Sequence, residues 1–201
     1  MKRTFAALAL LACLLLPPGC IRPPNDDEAD YFPLTIGSVW EFELLELRIT
    51  PDSTDTLSRG TVKWEAKAET QLGNGQPAVL LELTEDGFVD TIYYRATDEA
   101  VMLHEDPDDD EPLRILSLPL AADLFWYVDE DVRALVVDRE ERTVRAGRYR
   151  NCWKVSWVED GDLVFNYWYA PNVGLCFGEL DEEYQGTRFV ERMELVSVNI
   201  K

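Results

Sequence analysis

Thr61-Val62-Lys63-Trp64-Glu65-Ala66-Lys67-Ala68-Glu69-Thr70 alternates without a break: Val62, Trp64, Ala66 and Ala68 fall on one side, Lys63, Glu65, Lys67 and Glu69 on the other. A period of two marks a strand with one buried and one wet face, because successive side chains of an extended backbone point to opposite faces. The same period recurs more loosely on both sides of this stretch and predicts strands at 39–50, 61–70, 78–84, 88–96, 100–104, 132–138, 149–158, 163–170, 174–180 and 188–200. Turn formers separate them: Pro51-Asp52-Ser53, Gly73-Asn74-Gly75, Asp86-Gly87, Asp160-Gly161 and Pro171-Asn172. Few windows carry a helical period. The expected class is mainly β with little helix: an antiparallel curved sheet, a sandwich or an open barrel, most simply a continuous meander.

The composition suits a packed domain. Of 201 residues, 46% are hydrophobic and 11% aromatic, which excludes simple disorder. Acids outnumber bases 39 to 19, a net charge of −20. Affinity for a phosphate backbone comes largely from Lys and Arg releasing counterions, so nucleic acid is excluded as a partner. Two segments look alike, Tyr31 to Trp40 and Ser117 to Trp126, each with Pro-Leu six residues before a Trp. If they mark a repeat, two related β units meet near 106–112; the expectation is one domain, 31–201, with a weak internal boundary there.

The amino terminus carries an address. Lys2 and Arg3 precede twelve apolar residues from Phe5 to Leu16, a charged start and an apolar run of secretory-signal length. This run is shorter than the roughly 20 residues that a bilayer span needs. Pro17-Pro18-Gly19-Cys20 follows, with Leu16 one place farther from the Cys than the usual pattern has it. Here the sequence resembles bacterial lipoprotein precursors. The resemblance implies a signal peptide at 1–19, a Cys20 acylated on sulfur as the mature amino terminus, and an acidic spacer over 20–30. The membrane then becomes a partner through the lipid anchor. The place is the bacterial cell envelope, and Ile21 rather than Asp after the Cys points to the outer membrane; the alternative is a periplasmic or secreted protein. Without 1–19, which hold two bases and no acid, the chain carries 17 bases against 39 acids.

A second resemblance covers most of the remaining chain. Tyr31-Phe32-Pro33-Leu34 with Gly37 and Trp40, Ala146-Gly147-Arg148-Tyr149 with Cys152, and Trp168-Tyr169-Ala170-Pro171 with Val173-Gly174-Leu175 are similar to a group of exported bacterial β-rich proteins of unassigned function. That likeness implies fold and location. It brings no catalytic residue.

Registers follow from turn lengths over the last strands. With Val158 opposite Leu163 and Ala170 opposite Gly174 or Leu175, the second choice aligns Trp153, Trp168 and Phe177 on one face as a core cluster, with Trp157 opposite Val164. The other face then carries Cys152, Tyr169 and Cys176 in a row, Lys154 with Tyr167, and Ser156 with Phe165. Phe165, Tyr167 and Tyr169 make it a candidate ligand or partner face, or one covered by another layer. Cys152 and Cys176 are a candidate disulfide in an oxidising compartment. It would close about 25 residues and contribute roughly 3 to 4 kcal/mol on a chain-entropy model. Two strand spacings put these cysteines about 9 to 10 Å apart in a flat meander, beyond the roughly 7 Å a bridge tolerates. Either the bridge or the flat meander fails.

Chemistry is sparse. His104 is the one histidine, at a strand end before an acidic loop. No nucleophile elbow, zinc motif or phosphate-cradling loop is present. Asp106, Asp108 and Asp110 are weak calcium candidates, since their spacing lacks the alternation and central Gly of a calcium loop; no cofactor is expected. The expected function is non-catalytic binding of an envelope protein or an apolar ligand. The alternatives are a carboxylate-dependent hydrolase of envelope glycans or lipids, and a structural subunit of an outer-membrane assembly.

Overall fold

The computed structural model describes residues 29–160 and 162–201. The signal segment, Cys20 and the spacer up to residue 28 lie outside the described residues. The strands are β1 (Val39–Ile49), β2 (Thr54–Gln71), β3 (Pro77–Glu85), β4 (Phe88–Ala96), β5 (Ala100–His104), β6 (Leu113–Ser117), β7 (Phe125–Tyr127), β8 (Val132–Val144), β9 (Gly147–Glu159), β10 (Asp162–Ala170), β11 (Gly174–Tyr184) and β12 (Thr187–Asn199). No helix occurs among the described residues.

Every strand pairs antiparallel with its chain neighbour except at β6 and β7, while β1 also pairs with β12, so the order is β6-β5-β4-β3-β2-β1-β12-β11-β10-β9-β8-β7. The result is a nearly closed barrel with one seam. Hairpin chemistry sets much of this. Asp86-Gly87 (φ 48° and 88°) and Gln185-Gly186 (φ 50° and 76°) are left-handed pairs, whose twist matches that of the strands they join. Residues 106–112 form the β5–β6 connection, whereas the two six-stranded runs change over at 118–124.

Strand limits differ from expectation where periodicity fades. β2 begins at Thr54 rather than 61, because 54–61 pairs with β1 alone and β3 joins only at Val62. With little to cover on either face, that stretch needs no alternation. β6 and β7 escaped the pattern because their apolar residues are adjacent rather than alternating, Ile115-Leu116 at a bulge in β6 and Phe125-Trp126-Tyr127 in β7.

Side chains fill the concave face. Phe42, Leu81, Val101, Leu116, Val136, Val155 and Leu195 are fully buried. The gap left among Phe32, Trp40, Phe42, Trp64 and Leu81 is about 10 Å³, room for one water at most.

Two bulges correct the expected registers. Val158 does oppose Leu163, but an extra residue at Val164 then sets Trp157 against Phe165, Trp153 against Tyr169 and Lys154 against Trp168. Ala170 opposes Gly174, and a second extra residue, Cys176, restores Trp168 against Phe177. Directly opposed residues share a face. Trp153 therefore moves inward beside Tyr169, while Trp168 and Phe177 pack on the outer face, ring centroids 5.3 Å apart. Cys152, opposite Glu140, joins that outer face and leaves the row expected with Tyr169.

Gly178 shows how tightly the inner face is filled. It opposes Tyr167, and a Cβ built on it would lie 2.7 Å from the Phe165 ring. In an open strand Gly to Ala stabilises by a few tenths to about 1 kcal/mol; here overpacking of about 1–3 kcal/mol outweighs that gain. Denaturant unfolding of Gly178→Ala is expected to show a loss of about 1–2 kcal/mol, relieved when Phe165→Ala is added. A stabilised Gly178→Ala would contradict this packing.

Candidate binding clefts at the mouth and seam

Two strapping segments cross the rim that carries the 72–76, 97–99 and 171–173 turns. The first, 29–37, is held at one end by Asn172, whose N–H donates to the Asp30 carbonyl (2.6 Å), and at the other by Gly37 N–H donating to the Ala66 carbonyl (2.7 Å). It drives Tyr31 and Phe32 into the interior, Phe32 lying 4.8 Å from the Tyr94 ring. The second, 118–124, is held by Leu118 N–H on the Glu99 carbonyl (2.7 Å) and Asp123 N–H on the Val136 carbonyl (3.1 Å), and it buries Leu120. Each leads to a buried Trp whose indole N–H donates to a carbonyl across a strand junction: Trp40 to Val173 (2.7 Å) and Trp126 to Arg114 (2.8 Å). The two look-alike sequences thus do the same mechanical work at the start of each six-stranded run.

Between the straps lies an open cleft of about 1010 Å³. Leu34, Ile36, Val101, Pro119 and Leu120 give it apolar walls, and Asp30, Glu69, Asp98 and Arg139 give it charge. The Arg139 guanidinium stacks on Trp153 at 4.3 Å, and the ring helps fix its position. Apolar walls with few, fixed polar groups are the usual make-up of a small-molecule site.

A second opening follows the seam. Across it the Arg114 N–H donates to the Val128 carbonyl at 3.1 Å. Outside this stitch runs a groove of about 770 Å³ lined by Met102, Pro112, Pro119, Phe125 and Tyr127. Phe125 and Tyr127 are 56% and 63% exposed.

Residues singled out from the sequence lie elsewhere. Phe165, Tyr167 and Tyr169 form a ladder of rings up the inner side of β10, with centroids 4.9 and 6.5 Å apart and Trp157 at 5.0 Å from Tyr167. Tyr169 is buried and the other two half-buried. Burial pushes the Tyr167 phenol up to about 12 and holds Tyr94 and Tyr169 well above the ordinary range. Asp106 accepts the Asp108 N–H (2.8 Å) and Asp109 the Glu111 N–H (2.9 Å). Among the described residues no group of three or more His, Cys, Asp or Glu could hold a metal. His104 is buried, its Nδ1 3.3 Å from the Asp109 carbonyl. Cys152 and Cys176 are buried, with no bond between them in the structure. Sequence reasoning missed Arg139, Phe125 and Tyr127; the resemblance of 117–126 to 31–40 was the available pointer to the mouth.

The tyrosines impose a pH limit. A phenol whose pKa is near 10 unfolded and about 12 folded favours the fold fully below pH 10; that contribution is lost as pH rises through 12. Tyrosinate absorbance recorded with circular dichroism should show exposed tyrosines ionising first, and the inner three only as the β signal collapses. Ionisation of all eight tyrosines near pH 10 with the β signal intact would refute the buried ladder.

No protein-family model and no curated protein matches the chain. Among solved structures, a Bacteroides fragilis protein described as exported, with a YmcC-like fold, superposes with a TM-score of 0.53 at 13% identity, over 85% of this chain and 99% of that one. A Parabacteroides distasonis protein described as a lipoprotein gives a TM-score of 0.49 at 15% identity, over 85% and 99%. At such identity the first likeness establishes one thing, the fold: this chain has the architecture of the Bacteroides fragilis protein.

Proposed function

We propose that this is a lipid-anchored envelope protein that binds an amphipathic ligand in the mouth cleft and performs no chemistry on it. The observation that carries the reading is the division of space: among the described residues the gap beside Phe32, Trp40, Phe42, Trp64 and Leu81 in the interior is about 10 Å³, while about 1010 Å³ stands open between the straps. Ala29, where the described chain begins, lies in the wall of that cleft. An anchor at Cys20 would therefore hold the mouth toward the bilayer. The acidic connections 105–111 and 129–131 lie at the opposite ends of β5 to β8, away from anionic headgroups. The walls suit an acyl chain. Arg139 together with Asp30, Glu69 and Asp98 suits a zwitterionic head better than an anionic one, because three carboxylates would repel a bare anion. The exported and lipoprotein descriptions of the two structural neighbours agree with the envelope as its place.

A second reading, docking of an envelope protein along the seam, draws on exposed Phe125 and Tyr127, since aromatic anchors dominate protein interfaces.

The ligand reading is tested with phosphatidylethanolamine carrying a fluorescent acyl chain. Saturable binding is expected, weakened about tenfold or more by Ile36→Asp, because burying one Ile is worth about 1.5–3 kcal/mol. Ile36 is 39% exposed, so the fold should tolerate the change. Binding that is absent, or indifferent to Ile36→Asp, contradicts the mouth. The anchor is checked separately by mass spectrometry of the mature amino terminus: an acylated Cys20 is expected, and an unmodified end at any residue excludes the anchor.

A further inference from the structure

The β8–β9 hairpin does not continue the sheet past Trp153. Asn151 adopts a left-handed conformation (φ 59°) and the β8 register slips between Glu140 and Arg142, so the tip swings over the outer face of β11 and β12. There the Ala146 N–H donates to the Leu195 carbonyl (3.0 Å) and the Arg145 N–H to Glu194 Oε1 (2.8 Å), and the Arg145 guanidinium reaches Glu43 on β1 (3.0 Å). Arg142 lies on the Trp168 and Phe177 rings at 4.2 and 3.8 Å. The hairpin is a flap over an aromatic patch.

Its bend carries Cys152 toward β11, where Cys176 is the extra residue of a bulge and turns its thiol to the same outer side. Both side chains are fully buried on the same outer side, flanking β10, and each thiol perturbs the other. Cys176 Sγ is also 3.3 Å from the Trp168 carbonyl, and Cys152 Sγ 3.6 Å from that of Tyr149. A bulge and a left-handed residue thus cancel the separation that a flat meander would impose.

We infer that Cys152 and Cys176 are joined by a disulfide that fastens the β8–β9 flap to β11. The oxidant is a protein disulfide of the envelope, and in that respect the inference rests on the export reading. One thiolate attacks a sulfur of the oxidant, giving a mixed disulfide and releasing one oxidant thiol. The second cysteine then displaces the other. Cys152 and Cys176 together lose two electrons and two protons, one S–S bond forms, and the oxidant's S–S bond is reduced to two thiols. Because both sulfurs are buried in the closed flap, exchange occurs with the tip lifted, during folding.

The full chain, produced in a reducing cytosol and purified, is incubated with mixed reduced and oxidised glutathione, then denatured, alkylated and cut with trypsin. Peptides 151–154 and 155–188, which contain the two cysteines, should appear linked and two hydrogens lighter than their sum. The melting temperature should drop by several degrees when reductant is added, a response that Cys152→Ser/Cys176→Ser abolishes. Cys152 and Cys176 each alkylated in its own peptide, or each carrying its own glutathione, overturn the inference, whatever becomes of Cys13 and Cys20. Since glutathione replaces the cellular oxidant, these outcomes are independent of whether the protein is exported; the amino-terminal mass reports on that alone.

Discussion

The pairing of β1 with β12 is the constraint from which the rest follows. Val39 faces Asn199 and Ile49 faces Arg188, so residues about 140 to 160 positions apart share one ladder. Every other pairing in the sheet is a local hairpin, and local closure has a small entropic cost. This long-range ladder turns two six-stranded meanders into one curved wall. It also fixes the curvature, because the strands that close the sheet must tilt and stagger together.

Once the wall curves, its concave side is small enough for its own side chains to fill. Phe42 and Leu195, opposed in the closing ladder, are both fully buried, and the straps bring Tyr31, Phe32 and Leu120 to complete the packing. A filled interior removes the central ligand chamber of wider barrels and leaves the rim and the seam as usable surface. The mouth is where an apolar wall, a fixed guanidinium and the entry of the chain coincide. The aromatic ladder of β10, which looks like a binding face in sequence, serves the core instead.

How much of this was legible depended on the length of each signal. Ten alternating residues at 61–70 and the Asp86-Gly87 turn were enough to read strands and hairpins, and the class followed. Gln185-Gly186 makes the same left-handed turn but sits among polar residues, so nothing in the pattern marked it. Bulges leave no compositional trace: Val164 and Cys176 are ordinary strand residues, yet each shifts all pairs beyond it by one. For that reason the expected alignment of Trp153 with Trp168 failed while that of Trp168 with Phe177 survived. The cysteine conflict had the same origin, since a flat lattice has no place for an out-of-plane flap. The mouth was the least legible part. Leu34, Glu69, Asp98, Leu120 and Arg139 are scattered over a hundred residues, and only the likeness of the two strap sequences hinted that they belong together.

Hydrogen exchange resolved by residue tests the closing ladder most directly. Amides at 39–49 and 188–199 should be among the slowest and should exchange at a common rate, set by global unfolding, because neither strand can open without opening the wall. Exchange of 188–199 as fast as that of three-residue β7, with β2 to β4 still protected, would show that the two meanders are not locked together and would contradict the account.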